Sequence, residues 1–112
     1  MMSLTTHVLD LTHGTPAAGV SVTLDGPLGQ RSGVTNSDGR LDAPLIAKDE
    51  TVPGAYVLSF AVAAYFRGKG VALPEPPFID VVPIHFGISD PDAHYHVPLL
   101  VSPFGFSTYR GS

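Results

Sequence analysis

The sequence predicts an all-β domain, an antiparallel sandwich of two sheets carrying one short helix. Three observations lead there. Apolar residues recur with period two in several separate runs, turn-forming residues close each run, and a single alanine-rich stretch breaks the alternation. Strand side chains point alternately to opposite faces, so period two marks a sheet with one buried face. Short strands punctuated about every ten residues by Gly, Pro, Asn and Asp belong to a sandwich rather than to a parallel α/β sheet.

Taken in order, Leu4, Thr6 and Val8 share one face of the first strand, and Thr5, His7 and Leu9 share the other. Val20, Val22 and Leu24 alternate with Ser21 and Thr23 and stop at Asp25-Gly26-Pro27. Asn36-Ser37-Asp38-Gly39 is a turn that delivers Arg40. Tyr56, Leu58, Phe60 and Val62 mark the next strand. From Ala61 to Lys69, three alanines and the helical spacing of Phe60, Ala64 and Arg67 replace period two. With Gly68 and Gly70 as stops, a helix is expected near residues 62–68. Leu73-Pro74-Glu75-Pro76-Pro77 lacks the donors of a central strand and reads as a stiff connector. Val82, Ile84, Phe86 and Ile88 form one later strand, and Tyr95, Val97, Leu99 and Val101 another, with the turn Ser89-Asp90-Pro91-Asp92 between them. Ser102 to Thr108 is apolar and aromatic and reads as packed, with Phe104 and Phe106 as the last core positions.

Composition narrows the function. The 112 residues make one domain, 1–112, too small for two cores. Hydrophobic residues reach 44% while charged residues are only 14%, which suggests that other subunits cover part of the surface. A net charge of −4 argues against nucleic acid or an anionic membrane as partner. The absence of cysteine excludes disulfides, thiolate metal sites and a cysteine nucleophile. No apolar run approaches the roughly 18 residues of a membrane span. The opening Met1-Met2-Ser3-Leu4-Thr5-Thr6-His7 has neither the basic nor the apolar region of a signal peptide, so a cytoplasmic protein is expected.

Few residues can carry chemistry. His94 and His96 fall on one face by period two, an arrangement that suits either a zinc site or an acid/base pair. His7 lies in the first strand, and Arg40 follows its turn as one of only six cations, placed to anchor a carbonyl or oxyanion. Asp90 and Asp92 flank Pro91 as turn formers. There is no glycine-rich phosphate loop, no Gly-x-Ser-x-Gly elbow and no His-Glu-x-x-His. The end, Tyr109-Arg110-Gly111-Ser112, brings together an aromatic, a guanidinium, a glycine and a hydroxyl, where a frayed polar tail would be ordinary.

These residues together resemble the 5-hydroxyisourate hydrolases, the transthyretin-related proteins of purine catabolism. The resemblance is carried by Leu4 to Asp10 with Gly14, Pro16-Ala17 and Gly19-Val20, by Thr35 to Arg40, by Tyr65-Phe66-Arg67 and by Pro76-Pro77-Phe78. Most specific are His94-Tyr95-His96-Val97-Pro98-Leu99-Leu100 and the terminal Tyr-Arg-Gly-Ser. It implies a transthyretin-like fold of two four-stranded sheets with one short helix, assembled as a homotetramer with sites in the channel between dimers. The implied reaction opens a lactam C–N bond of 5-hydroxyisourate to give 2-oxo-4-hydroxy-4-carboxy-5-ureidoimidazoline. By the same resemblance His7, Arg40, His96 and Ser112 would be catalytic, with His7, Arg40 and Tyr109 binding substrate, and no cofactor or metal is expected.

Two other functions fit parts of the pattern. Transthyretins proper carry small hydrophobic ligands on the same sandwich, but with other residue types at the positions of His7, Arg40 and His96 and without the terminal tetrapeptide. A zinc hydrolase would need His7, His94 and His96 to converge on one point.

Overall fold

The computed structural model describes residues 4–111. Eight strands form two four-stranded sheets: β1 (Leu4–Asp10), β2 (Thr15–Pro16), β3 (Ser21–Asp25), β4 (Arg31–Val34), β5 (Gly54–Ala61), β6 (Val81–Ile88), β7 (Tyr95–Ser102) and β8 (Gly105–Thr108). One sheet has the order β2-β1-β7-β8 and the other β4-β3-β5-β6. The helix α1 spans Val62–Gly68, where the alanine-rich interruption predicts it.

The core lies between the sheets and consists of the period-two residues. Val8, Val22, Leu24, Tyr56, Leu58, Phe60, Val82, Leu99 and Val101 are all buried. Burying such side chains stabilises a fold by roughly 1.5–3 kcal/mol each, and every strand that supplies them presents its alternate residues outward. At the end of α1 the N–H of Gly70 donates to the carbonyl of Arg67, and that of Val71 to Phe66. Gly70 has φ +81°, the left-handed conformation such a helix end requires.

Two features depart from the sequence reading. The other strand pairs are antiparallel, but β1 and β7 run parallel, Leu4 opposite Tyr95 through Asp10 opposite Val101. A parallel pair needs a long crossover, and here the whole second sheet and the helix supply it. Period two sets which face a side chain takes and says nothing about strand direction. The second departure concerns Phe104 and Phe106, which are 65% and 47% exposed rather than packed in the core. Phe104 sits in the β7–β8 turn, and Phe106 lies on β8, an edge strand paired on one side only.

The strands missed by period two are the short ones. β2, β4 and β8 have mostly exposed or half-buried residues, so they carry no alternating apolar signal.

Candidate active site

The outer face of the β2-β1-β7-β8 sheet gathers the candidate residues. Along β1, Thr5, His7 and Leu9 are half-buried while their neighbours are buried; along β7, His96 and Leu100 are half-buried. In the parallel register Thr5 stands opposite His96, and His7 opposite Pro98. His94 lies one residue before β7 begins, on the same side as His96. The hydroxyl of Thr5 reaches both rings, 3.1 Å from Nε2 of His94 and 2.8 Å from Nδ1 of His96.

A loop brings Arg40 to this face. The side chain of Asn36 accepts from the N–H groups of Asp38 and Arg40, and its carbonyl accepts from Gly39, closing the turn. The carbonyl of Gly39 accepts from the N–H of Val8 at 2.9 Å, so the turn is fastened to the edge of β1 beside His7. Only glycine fits there. Its φ is +75°, and an added Cβ would fall 2.4 Å from the carbonyl oxygen of Val8 and 3.2 Å from Cδ2 of His7. Arg40 itself is exposed. Its positive charge, with those of His94 and His7, adds to burial as the leading cause in holding His96 below the ordinary histidine value, while a hydrogen bond with Thr5 acts the other way. A neutral imidazole is the form that can accept a proton.

The tail docks on the same strand by a route set by Pro98. β8 pairs with β7 through Thr108 opposite Leu99, and the hydroxyl of Thr108 donates to the carbonyl of Pro98 at 2.8 Å. Proline has no N–H for the next ladder bond. The main-chain pairing therefore lapses over Tyr109 and Arg110 and resumes at Gly111, whose N–H donates to the carbonyl of His96 at 2.8 Å. The imidazole of His96 lies against Gly111: a Cβ there would meet Cδ2 at 2.4 Å and Cγ at 3.1 Å. The guanidinium of Arg110 stacks 4.2 Å from the ring centre of Tyr95 and donates to the carbonyl of His94 at 3.2 Å. Arg110 thus holds the tail, and Tyr109 stays 62% exposed. Ser112 lies outside the described residues.

His7, Arg40 and His96 are therefore brought to one face, with Thr5 and His94 beside them. Tyr109 lies elsewhere. It lines a cleft of about 330 Å³ at the sheet edges together with His85, Ser89, Tyr95 and Arg110. A smaller cavity of about 80 Å³ is lined by Thr5, Arg40 and Leu41 but by neither His7 nor His96. Both imidazoles are half-buried on the outer face of the sheet. The other histidines are remote: His13 pairs with Asp10, Nδ1 to Oδ2 at 2.5 Å, and His85 is exposed on β6 of the second sheet. His7, His94 and His96 do not converge as ligands, since no three His, Cys, Asp or Glu side chains among the described residues are grouped so as to hold a metal.

Thr5 and Gly39 escaped the sequence reading as parts of this site. Thr5 carried a usable signal, because period two already placed it on the face of His7. Nothing in the sequence put that face beside His94 and His96.

Comparison with known proteins identifies the family and the fold. The model of the HIUase/Transthyretin family matches residues 4–111. The chain belongs to that family. Within the family it is 49% identical over 117 residues to the 5-hydroxyisourate hydrolase of Pseudomonas aeruginosa, covering 100% of this chain and 93% of that one. Among solved structures, the 5-hydroxyisourate hydrolase of Klebsiella pneumoniae superposes with a TM-score of 0.81 at 36% identity, over 97% of this chain and 98% of that one. Sea bream transthyretin in complex with thyroxine superposes with a TM-score of 0.82 at 30% identity, over 97% and 94%. Both branches of the HIUase/transthyretin family thus share the sandwich, and the hydrolase branch is nearer in sequence.

Proposed function

We propose that this chain is a 5-hydroxyisourate hydrolase that opens a cyclic amide of its substrate to give 2-oxo-4-hydroxy-4-carboxy-5-ureidoimidazoline. The observation that carries this reading is the meeting of His7 and His96 with the charge of Arg40 on one sheet face, in a chain of the hydrolase branch. Opening the amide takes one water: its oxygen joins the carbonyl carbon, the C–N bond breaks, and the freed nitrogen takes a proton. His96, held neutral, removes the proton from the attacking water. Arg40 stabilises the oxygen that gains negative charge, and His7 returns a proton to the departing nitrogen. Tyr109, which in its own chain lines the separate cleft beside Tyr95, would meet the substrate from a second copy of the chain, and no cofactor takes part.

The site is completed by a second copy of the chain. His7 and His96 lie half-buried on the outer face of their sheet, and Phe78, Val81, Phe104 and Phe106 are exposed apolar residues that association would cover. Phe78 and Phe104 already pack together, their ring centres 6.2 Å apart. We assign a homotetramer with the sites between dimers, working in the cytoplasm; no described helix is long and apolar enough to cross a membrane.

The test is direct. Urate oxidase generates 5-hydroxyisourate in the cuvette, and its decay is followed spectroscopically with and without the protein. Acceleration to the ureidoimidazoline product supports the reading. Decay at the spontaneous rate, with saturable binding of a hydrophobic ligand, would assign a transthyretin-like carrier instead.

A further inference from the structure

We propose that Thr5 is a positioning residue whose hydroxyl fixes the tautomer of His96, leaving its Nε2 bare toward the reacting water and using His94 as the acceptor that makes this possible. The proposal rests on the hydrolase reading for the role of Nε2, and on the contacts of Thr5 for everything else.

The geometry restricts the hydrogens severely. A threonine hydroxyl has one hydrogen to donate, together with lone pairs that accept. Here it lies between two ring nitrogens, Nε2 of His94 at 3.1 Å and Nδ1 of His96 at 2.8 Å. Three arrangements satisfy both contacts when the rings are neutral, the third being a hydroxyl oxygen that accepts from both rings with its own hydrogen turned elsewhere. In the first, Thr5 donates to His96 and accepts from His94, which puts the His96 proton on Nε2 and removes its use as a base. In the second, Thr5 donates to His94 and accepts the Nδ1 hydrogen of His96, so Nε2 of His96 carries the free lone pair. The second and third both leave Nε2 free for a base, and the second also gives the hydroxyl hydrogen a ring nitrogen to bond. When that nitrogen takes the water proton, the Nδ1–H to Thr5 contact persists unchanged, so no reorganisation accompanies the step.

The backbone keeps the three groups in place. Thr5 and His96 are register partners in the parallel β1–β7 pair, so their spacing follows from ladder hydrogen bonds. Gly111 backs the ring of His96 from the other side, and Arg110 holds the main chain at His94. His94 takes no part in the proposed bond-making steps and acts instead by receiving the hydroxyl hydrogen of Thr5.

The experiment measures nitrogen signals and turnover in parallel on the full-length assembled protein. In the ¹⁵N-labelled wild type, the histidine ring correlations of His96 should show a protonated Nδ1 and a bare Nε2. Thr5→Val keeps the shape and β-branching of the strand residue but removes the hydroxyl. It should lose that bias and lower kcat by about 10–100-fold with KM little changed, the usual scale for removing the partner that orients a working histidine. Thr5→Ser should restore both the nitrogen pattern and most of the turnover. His94→Leu leaves the hydroxyl no acceptor but His96, and should move the His96 proton to Nε2. A bare Nδ1 in the wild type would overturn the proposal, as would a Thr5→Val protein with unchanged tautomer and kcat. If the wild type left 5-hydroxyisourate untouched, the proposed function would fall while the nitrogen signals decided the role of Thr5.

Discussion

At the scale of single residues, the site contrasts histidines in different surroundings. His96 sits half-buried under the influence of Arg40, His94 and His7, whereas His13 pairs with Asp10 at the far end of β1. His7→Ala, Arg40→Ala and His96→Ala are each expected to lower kcat/KM by about 10²–10⁴-fold, the range for losing an acid/base group or an oxyanion donor. His13→Ala and His85→Ala should stay near wild type, and a His13 variant as damaged as the His7 variant would refute the assignment. The pH profile carries a sign. His96 is held below the usual histidine value of about 6.5, so it stays neutral as pH falls to that value, and the acid limb of kcat/KM should lie lower still. Arg40→Gln removes one of the charges that depress it, so the residual activity of that variant should show its acid limb at higher pH. Asp10 tests stability in the same way. Burial raises its carboxyl, but hydrogen bonds from Tyr65 and His13 outweigh this and leave it below the ordinary range. Its contribution is therefore present above about pH 4 and is lost as pH falls through the lowered value. Asp10→Asn should cost about 1–3 kcal/mol in denaturant unfolding at neutral pH, because Tyr65 and His13 lose a charged acceptor.

At the scale of elements, the tail is the segment whose removal separates fold from function. Among the described residues only Gly111 pairs with β7 beyond β8, and Arg110 stacks on Tyr95. Deleting Tyr109 to Ser112 should leave the circular dichroism spectrum intact and the thermal midpoint only modestly lower, while most turnover is lost. Gly111→Ala makes the point with one methyl group. The added carbon would collide with the ring of His96 near its root, where the ring cannot swing aside while Thr5 holds Nδ1. Activity should drop about tenfold or more with a near-normal melting curve, since a small displacement of a working base is costly. An active Gly111→Ala protein would show that the ring position is not critical. The helix and the long strands were legible in sequence because the alanine-rich stretch from Ala61 to Lys69 ends in glycine stops, and β5 and β6 alternate, as does β7 apart from the buried Pro98. β2 and β8 were not, since these short strands bury little and carry no alternating apolar signal.

At the scale of the whole molecule, the proposed homotetramer would make association a condition of activity. Light scattering at micromolar concentration should give a tetramer. Phe78→Ser together with Phe104→Ser removes the exposed aromatic pair and should shift the protein toward smaller species, with turnover falling in step with the tetramer fraction. Full activity in a monomer would detach the site from the assembly. Such a result would leave the sheet face of His7 and His96 to work without a closing wall.

The sequence by itself determined where the helix falls and, along the long strands, which residues face inward. Those properties are local: a period of two, a run of alanines, a glycine beyond a helix, and a resemblance carried by contiguous motifs. Only the tertiary structure decided that β1 lies parallel to β7, which sets Thr5 beside His96 across 91 residues of chain. It alone decided that Gly39 clamps the Arg40 turn to β1 and that the missing N–H of Pro98 sends Tyr109 and Arg110 out of the ladder. Strand partners are chosen by how the two sheets pack over a common core, and no periodicity within one strand records the strand that will lie next to it.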